Sequence, residues 1–139
     1  MYTVILGAGT VGYKIASWLN SSGVEITIIE KDPVRIQKTQ DAFGSVVVVG
    51  DGTDVDILDE AGVKRADLFA ATLGYDDQNL VACQIAKHKF RVNKTISLVH
   101  QPENEELFST LGVDFIVNVN DLIINDMESK TAAMLVEEV

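Results

Sequence analysis

Thr3-Val4-Ile5-Leu6-Gly7-Ala8-Gly9-Thr10-Val11-Gly12, followed by Lys14-Ile15-Ala16-Ser17-Trp18-Leu19, decides how this chain is read. A short apolar run breaks into G-x-G-x-x-G and resumes at helical spacing, which predicts a strand, a tight turn and a helix. Gly7 permits the turn out of the strand. Gly9 has no Cβ, so an anionic group can come close to the backbone, and Gly12 lets the helix pack closely on the sheet. The unpaired N–H groups at the helix start, with the positive end of its dipole, favour an anion. Taken alone, the glycines also suit an ordinary Gly-rich turn. The next apolar run, Glu25-Ile26-Thr27-Ile28-Ile29, ends in Glu30. That is about 20 residues on, where a dinucleotide-binding unit carries the acid that accepts from a ribose diol. Together these features point to a bound adenine nucleotide, with Gly7, Ala8, Gly9, Thr10, Val11 and Gly12 as its phosphate loop.

Strand and helix patterns alternate along the rest of the chain, which argues a parallel sheet covered on both faces. The first strand is Tyr2 to Leu6, and the helix after it carries Val11, Ile15, Trp18 and Leu19 at helical spacing and stops at Gly23. Asp32-Pro33 supplies an N-cap and a first-turn proline for a second helix, whose thin core stripe is Ile36 and Phe43. Val46-Val47-Val48-Val49 reads as a strand buried on both faces. Thr53 or Asp54 then caps a short helix with Ile57 and Leu58 inward. The fourth strand is Leu68 to Thr72. Asp76 or Asp77 caps the next helix, with Leu80, Val81, Gln84, Ile85 and His88 on one stripe. Thr95 to Val99 is the fifth strand, Pro102 opens a helix with Leu107, Phe108 and Leu111 inward, and Phe115-Ile116-Val117 is the sixth strand.

Six strands joined by right-handed crossovers give an α/β, doubly wound Rossmann fold with strand order 3-2-1-4-5-6. Ligands bind at the carboxyl ends of its strands, where the order reverses. Residues 1–119 form this domain on the present reading, and 120–139 form a C-terminal helix opened by Asp121. Ile124, Met127, Thr131, Met134 and Leu135 make a narrow stripe on that helix at near-heptad spacing. Either the stripe is a dimerisation element that meets another subunit, or the helix lies back on the sixth strand.

Composition bounds the function. Lys plus Arg number 11 against 21 Asp plus Glu, for a net charge of -10, so a phosphate backbone is repelled at long range and nucleic acid is not the expected partner. No apolar run approaches the roughly 18–20 residues that span a bilayer, and no signal-peptide layout opens the chain. The expected location is the cytosol, without direct membrane insertion. The one cysteine, Cys83, forms no internal disulfide and fits a reducing compartment.

Within the predicted cleft, Glu30 accepts from both ribose hydroxyls and repels a 2′-phosphate, which reads NAD rather than NADP. Asp51 with Thr53 lies beside the adenine, or only caps the following helix. Thr72-Leu73-Gly74 offers hydroxyl and backbone contacts to the far ribose, or is a plain connecting loop. No reacting centre is recognisable. His88 and His100 lack metal-ligand spacing with Cys83 or with an acidic pair, so no metal site is expected. No tyrosine is followed four residues later by a lysine, and no second domain holds a hydride partner. A binding protein is expected, not an enzyme. The alternative is the cofactor-binding fragment of an NAD-dependent dehydrogenase.

Gly7-Ala8-Gly9-Thr10-Val11-Gly12, Glu30, the Gly50-Asp51-Gly52-Thr53 turn and Leu58-x-x-Ala61-Gly62 resemble the nucleotide-binding half of the Trk/Ktr potassium-uptake regulators, the RCK or KTN domain. Asp76-Asp77-Gln78-Asn79-Leu80 and Leu111-Gly112-Val113-Asp114 continue the match over about the whole chain and are more specific than the glycines. The resemblance implies a cytoplasmic regulatory subunit that binds NAD(H) or ATP/ADP. It implies a membrane potassium transporter or channel as partner, with the chain peripheral to the inner membrane, and a homodimer or a higher ring-like oligomer. The family's dinucleotide contacts carry over to Gly7 through Val11, Glu30, Asp51 and the Leu73-Gly74 turn. Thr10 stands where some ATP-responding members have an arginine. Ser97-Leu98-Val99-His100 replaces a run in which many members have an arginine, so the contact expected there is either lost or taken over by His100.

Overall fold

The computed structural model describes residues 1–137. The first apolar run is strand β1 (Tyr2–Leu6), buried at every position. It leads through Gly7, at φ +99, into helix α1 (Thr10–Ser21). Strand β2 (Glu25–Glu30), helix α2 (Pro33–Phe43) and strand β3 (Val47–Val49) complete the first half. Helix α3 (Val55–Glu60) and a 3-10 turn at Val63–Arg65 cross to strand β4 (Leu68–Ala71). Helix α4 (Asp76–His88), strand β5 (Lys94–Val99), a 3-10 turn at Pro102–Asn104, helix α5 (Glu105–Thr110) and strand β6 (Phe115–Asn118) follow. Helix α6 (Val119–Glu137) closes the described chain. All pairings are parallel, in the order β3-β2-β1-β4-β5-β6, as the alternation of elements predicts. The sheet reverses between β1 and β4, and the carboxyl ends of those two strands frame the cleft described below.

Alternation along β1 divides the interior in two. Val4 and Leu6 join Leu58, Phe69, Val99 and Phe108 in one core. Ile5 joins Ala16, Leu19, Ile26, Ile28 and Ala70 in the other. Continuous apolar strands are what a sheet covered on both faces requires.

Several helix and strand faces differ from those expected. On α1 the buried stripe is Gly12, Ala16 and Leu19, while Val11, Ile15 and Trp18 are exposed. The cause is steric. A Cβ on Gly12 would stand 2.0 Å from the Gly7 carbonyl oxygen and 2.5 Å from Thr72 Oγ1. Only the small-residue face of α1 can therefore meet the sheet, and the bulky stripe is turned aside. Val47 and Val48 are half-buried and Val49 is 57% exposed, because β3 is an edge strand with β2 as its one neighbour. On α2 the fully buried residue is Thr39, its hydroxyl donating to Arg35 O at 2.7 Å, and Ile36 and Phe43 are half-buried.

The packed face of α4 is Asn79, Ala82, Cys83 and Ala86; Val81 and His88 point to solvent. Neither Asp76 nor Asp77 caps that helix, since Tyr75 holds the N-cap position. On α5 only Phe108 is buried, and Leu107 and Leu111 are exposed. Helix α6 begins two residues before Asp121, and it is Asn118 Oδ1 that accepts from Asp121 N at 3.1 Å. Ile124, Met127, Met134 and Leu135 are all exposed, so α6 does not lie back on its own sheet.

The close approach at Gly12 yields a stability prediction. Gly12→Ala forces backbone apart, and overpacking of this kind costs about 1–3 kcal/mol. Gly74 meets nothing within 4 Å where its Cβ would be, so Gly74→Ala should leave the urea midpoint close to wild type while Gly12→Ala lowers it.

Candidate functional site

Apolar strand ends and the polar turns after them enclose a cleft of about 500 Å³ at the carboxyl edge of the sheet. Leu6, Ile29, Glu30, Lys31, Arg35, Asp51, Leu73 and Tyr75 are among its lining residues. It lies where the strand order reverses, the position at which open α/β sheets take ligands.

Glu30 is the organising side chain. It is 6% exposed, and Oε1 accepts from Ala8 N at 2.8 Å. Oε2 accepts from Lys31 N at 2.8 Å and Asp32 N at 3.0 Å. The carboxylate thus ties the end of β2 to the glycine-rich loop. Three of its roughly four lone-pair positions are used, which leaves one, on Oε1, for a further donor.

The loop itself is built to leave a gap. Gly9 is the N-cap of α1 and brings no side-chain acceptor, and no acidic residue stands in the first turn. Its backbone lies at φ -72, ψ -165, which any residue can adopt. A Cβ on Gly9 would meet only the Arg35 guanidinium, at 3.8–3.9 Å, an ordinary contact. Neither conformation nor packing within the chain demands glycine here, so the open face suits a group approaching from outside. An uncapped helix start, an open glycine and a carboxylate with one free lone pair together suit the diphosphate and ribose of a nucleotide.

The remaining expected residues divide. Asp51 lines the cleft, and its Oδ1 accepts from Thr53 N at 2.8 Å and Thr53 Oγ1 at 2.7 Å. These two bonds, chiefly the backbone one, with Lys31 beside it, hold the Asp51 carboxyl below its ordinary value. Lys31 Nζ stands 3.6 Å from Asp51 Oδ2. Capping of α3 falls to Asp54, which accepts from Asp56 N at 2.9 Å. Leu73 lines the cleft as well. The Thr72 hydroxyl faces inward and donates to Leu6 O at 2.7 Å, bracing β4 against the start of the loop. Among the described residues, Gly7, Ala8, Gly9, Thr10, Val11, Gly12, Thr53, Thr72 and Gly74 do not line the cleft wall; Gly9 borders it through Arg35, and Thr10 and Val11 are exposed.

Two residues quoted above for their motif turn out to shape the wall. Asn79, fully buried, accepts from Leu73 N at 3.0 Å and donates to Leu73 O at 2.9 Å and Leu98 O at 3.2 Å. Asp76 accepts from His100 N at 2.8 Å, Gln101 N at 2.9 Å and Asn104 Nδ2 at 3.0 Å. The Asp-x-x-Asn spacing therefore places two polar side chains on one face of α4, where they clamp the turns after β4 and β5. His100 Nε2 is 2.9 Å from Leu73 O, to which it donates, and His100 O accepts from Asn120 Nδ2 in the first turn of α6. Leu73 is thus linked through one residue to the terminal helix.

Arg35, Lys31 and Tyr75 line the cleft without having been singled out in the sequence, and Gln78, quoted within the α4 motif, lines it too. A signal for Arg35 was present: it stands three residues after the Asp32 N-cap, on the first turn of the helix that follows Glu30. Cys83 is buried, and desolvation pushes its thiol up to about 12, so it is a packed side chain and no nucleophile. Among the described residues no cluster of His, Cys, Asp and Glu has metal-ligand geometry, and no helix is long and apolar enough to cross a membrane.

A second concavity, of about 280 Å³, lies on the α1 side of the sheet. Ala70, Ile96, Leu98 and Val117 are in its floor, and Val11, Ile15 and Trp18 form its rim. It exists because the helices of the second half pack on the opposite face.

The family model described as the TrkA-N domain matches residues 3–119. The Trk system potassium uptake protein TrkA homolog of Methanothermobacter thermautotrophicus is 35% identical over 118 residues, covering 85% of this chain and 54% of that protein. The chain spans about half the length of such relatives. The TrkA-N domain of the inner membrane protein ybaL from Escherichia coli superposes with a TM-score of 0.84 at 19% identity, covering 92% of this chain and 94% of that one, a likeness of fold. GsuK bound to ADP superposes with a TM-score of 0.77 at 25% identity, covering 91% of this chain and 32% of that one.

The Asp76 clamp has a pH signature. Burial alone would raise its carboxyl, but the bonds from Asn104, Gln101 N and His100 N outweigh it and hold the value below the ordinary 3.8. The folded value is depressed, so the stabilisation is present above 3.8 and is lost as pH falls through the lower folded value. Asp76→Asn turns an NH2 toward these donors and should cost about 1–3 kcal/mol at neutral pH. Urea titrations of the two proteins should converge as the pH is lowered beneath that range.

Proposed function

This chain belongs to the TrkA-N domain family, and from that we propose that it is the regulatory, nucleotide-binding part of a potassium uptake system, controlling a membrane potassium transporter or channel. The observation that carries the reading is the cleft: a buried Glu30 tied to an open, uncapped glycine loop. Gly7, Ala8, Gly9, Thr10, Val11 and Gly12 receive the diphosphate, and Glu30 takes a ribose hydroxyl on its remaining lone pair. Asp51, with Thr53 behind it, flanks the adenine, and Thr72-Leu73-Gly74 bounds the far side. NAD(H) is the favoured ligand because Glu30 opposes a 2′-phosphate. ADP or ATP uses the same loop, as the ADP-bound relative suggests. The role is binding, not catalysis, since the cleft's carboxylates are occupied in holding backbone and partner side chains.

Output runs through α6. Leu73 is held by Asn79 and meets His100, and His100 in turn meets Asn120. A nucleotide that shifts the Leu73 turn therefore shifts the start of α6. The exposed Ile124, Met127, Met134 and Leu135 are the surface by which α6 reaches a second copy, whose own apolar trough beside Trp18 is the complementary face. Ligand then changes the relation between subunits, a coupling typically worth about 1–3 kcal/mol.

Three measurements test this. In a thermal-shift panel a ligand at 100 times its dissociation constant should add about 2.7 kcal/mol. NAD or NADH should exceed NADP, and Gly9→Val, whose Cβ makes only an ordinary contact with Arg35 and whose branches fill the diphosphate space, should remove both the shift and the nucleotide dependence of potassium flux through the reconstituted partner. Equal modulation of flux in both proteins would exclude the cleft as the switch. Separately, Met127→Glu with Leu135→Glu should convert the assembly seen by light scattering to monomer; unchanged assembly would remove α6 from the interface.

A further inference from the structure

The glycine loop is faced by a cation from a different element. Arg35, in the first turn of α2, folds back so that its Cζ, Nη1 and Nη2 all lie 3.8–3.9 Å from where a Gly9 Cβ would be. Among the described residues its guanidinium makes no hydrogen bond and no ion pair. The other lysine or arginine of the cleft wall, Lys31, has Asp51 at 3.6 Å. The nearby carboxylates are engaged elsewhere: Asp32 Oδ2 accepts from the backbone N of Arg35 at 3.1 Å, and Glu30 accepts from three backbone N–H groups. In a chain with 11 basic and 21 acidic residues, an unpaired guanidinium held against the positive end of a helix is electrostatically unfavourable on its own. An anion between the two would satisfy both.

We propose that Arg35 is the phosphate-recognising residue of the cleft, taking the diphosphate of the nucleotide from the side opposite the α1 amides. The inference rests on the nucleotide reading of the cleft and adds to it the group that meets the charge. Thr10, at the head of α1, carries no charge, and Arg35 supplies from α2 the cation that the loop lacks. A guanidinium presents donors in a planar fork that matches two phosphate oxygens at once, which an ammonium does not. Because it reaches over Gly9 from the β2 side, it contacts the bridge between ribose and terminal phosphate, not the base and not the 2′ position, where Glu30 lies.

The test is isothermal titration of the full chain, wild type against Arg35→Gln and Arg35→Lys, with NAD, ADP, AMP, adenosine and NADP as separate ligands. Arg35 is exposed and supports no packing, so equal urea midpoints should confirm that the variants fold. Arg35→Gln should weaken ADP by about tenfold or more, as expected for loss of hydrogen bonds to a charged group, with adenosine unchanged. Arg35→Lys should fall between, and the salt dependence of ADP binding should flatten in Arg35→Gln. Retention of ADP affinity within about twofold in Arg35→Gln would overturn the assignment. So would equal loss of adenosine, which would make Arg35 a base-stacking residue, or a loss confined to NADP, which would place it at the 2′-phosphate. If wild type binds none of the five, the nucleotide reading falls with it.

Discussion

The depth at which α1 seats on the sheet governs the rest of the molecule. With Gly12 against the Gly7 carbonyl and Thr72 Oγ1, the helix comes closer than any side chain would allow. That contact fixes where the first turn of α1 begins and so where its free N–H groups point. It also rotates Val11, Ile15 and Trp18 out of the core, which leaves the trough along β4, β5 and β6 with an apolar rim. One missing methyl group thus shapes both the cleft and a second surface on the other side of the helix.

Around that contact the cleft is assembled by polar side chains that bind backbone. Glu30 joins β2 to the glycine loop, Asn79 holds both backbone groups of Leu73, and Asp76 gathers the turn after β5. Each places a buried or half-buried polar group on backbone partners, as low-dielectric surroundings require. The loops at the carboxyl edge are therefore held by a few specific bonds between neighbouring elements as well as by the packing of Leu73 on the core. Such bonds have two arrangements, made or broken, which suits a site meant to respond to a ligand. His100 extends the set to the first turn of α6, so the wall of the cleft and the exposed helix share a hydrogen-bonded residue.

Charge is distributed to match. The chain is acidic overall, yet Lys31 and Arg35 come together at the cleft, next to a helix start with no acid in its first turn. Long-range repulsion of polyanions is compatible with local capture of a single small anion, because screening limits surface charges to about 8–10 Å at physiological salt.

The order of elements, the parallel sheet and the place of the cleft follow from local patterns alone. Apolar runs, N-caps such as Asp32 and glycines such as Gly23 and Gly62 report nearest-neighbour chemistry, and the crossover rule then leaves one strand order. Glu30 was legible for the same reason, since a strand's last residue can be counted. The faces were not. Whether α1 buries Val11 and Trp18 or Gly12 and Ala16 depends on how near the helix stands to β1, a distance that no spacing of apolar residues encodes. Val49 is exposed because β3 is at the sheet edge, which only the assembled order decides. Asp76 serves His100 and Gln101, not its own helix, because β5 brings those amides beside it from 24 and 25 residues away. Arg35 reads as a solvated helix residue until the fold places it over Gly9. What the sequence by itself determined was the set of elements and their sequence-local signals; which side chains meet across elements was decided by tertiary packing, where steric closeness and donor geometry outrank hydrophobic pattern.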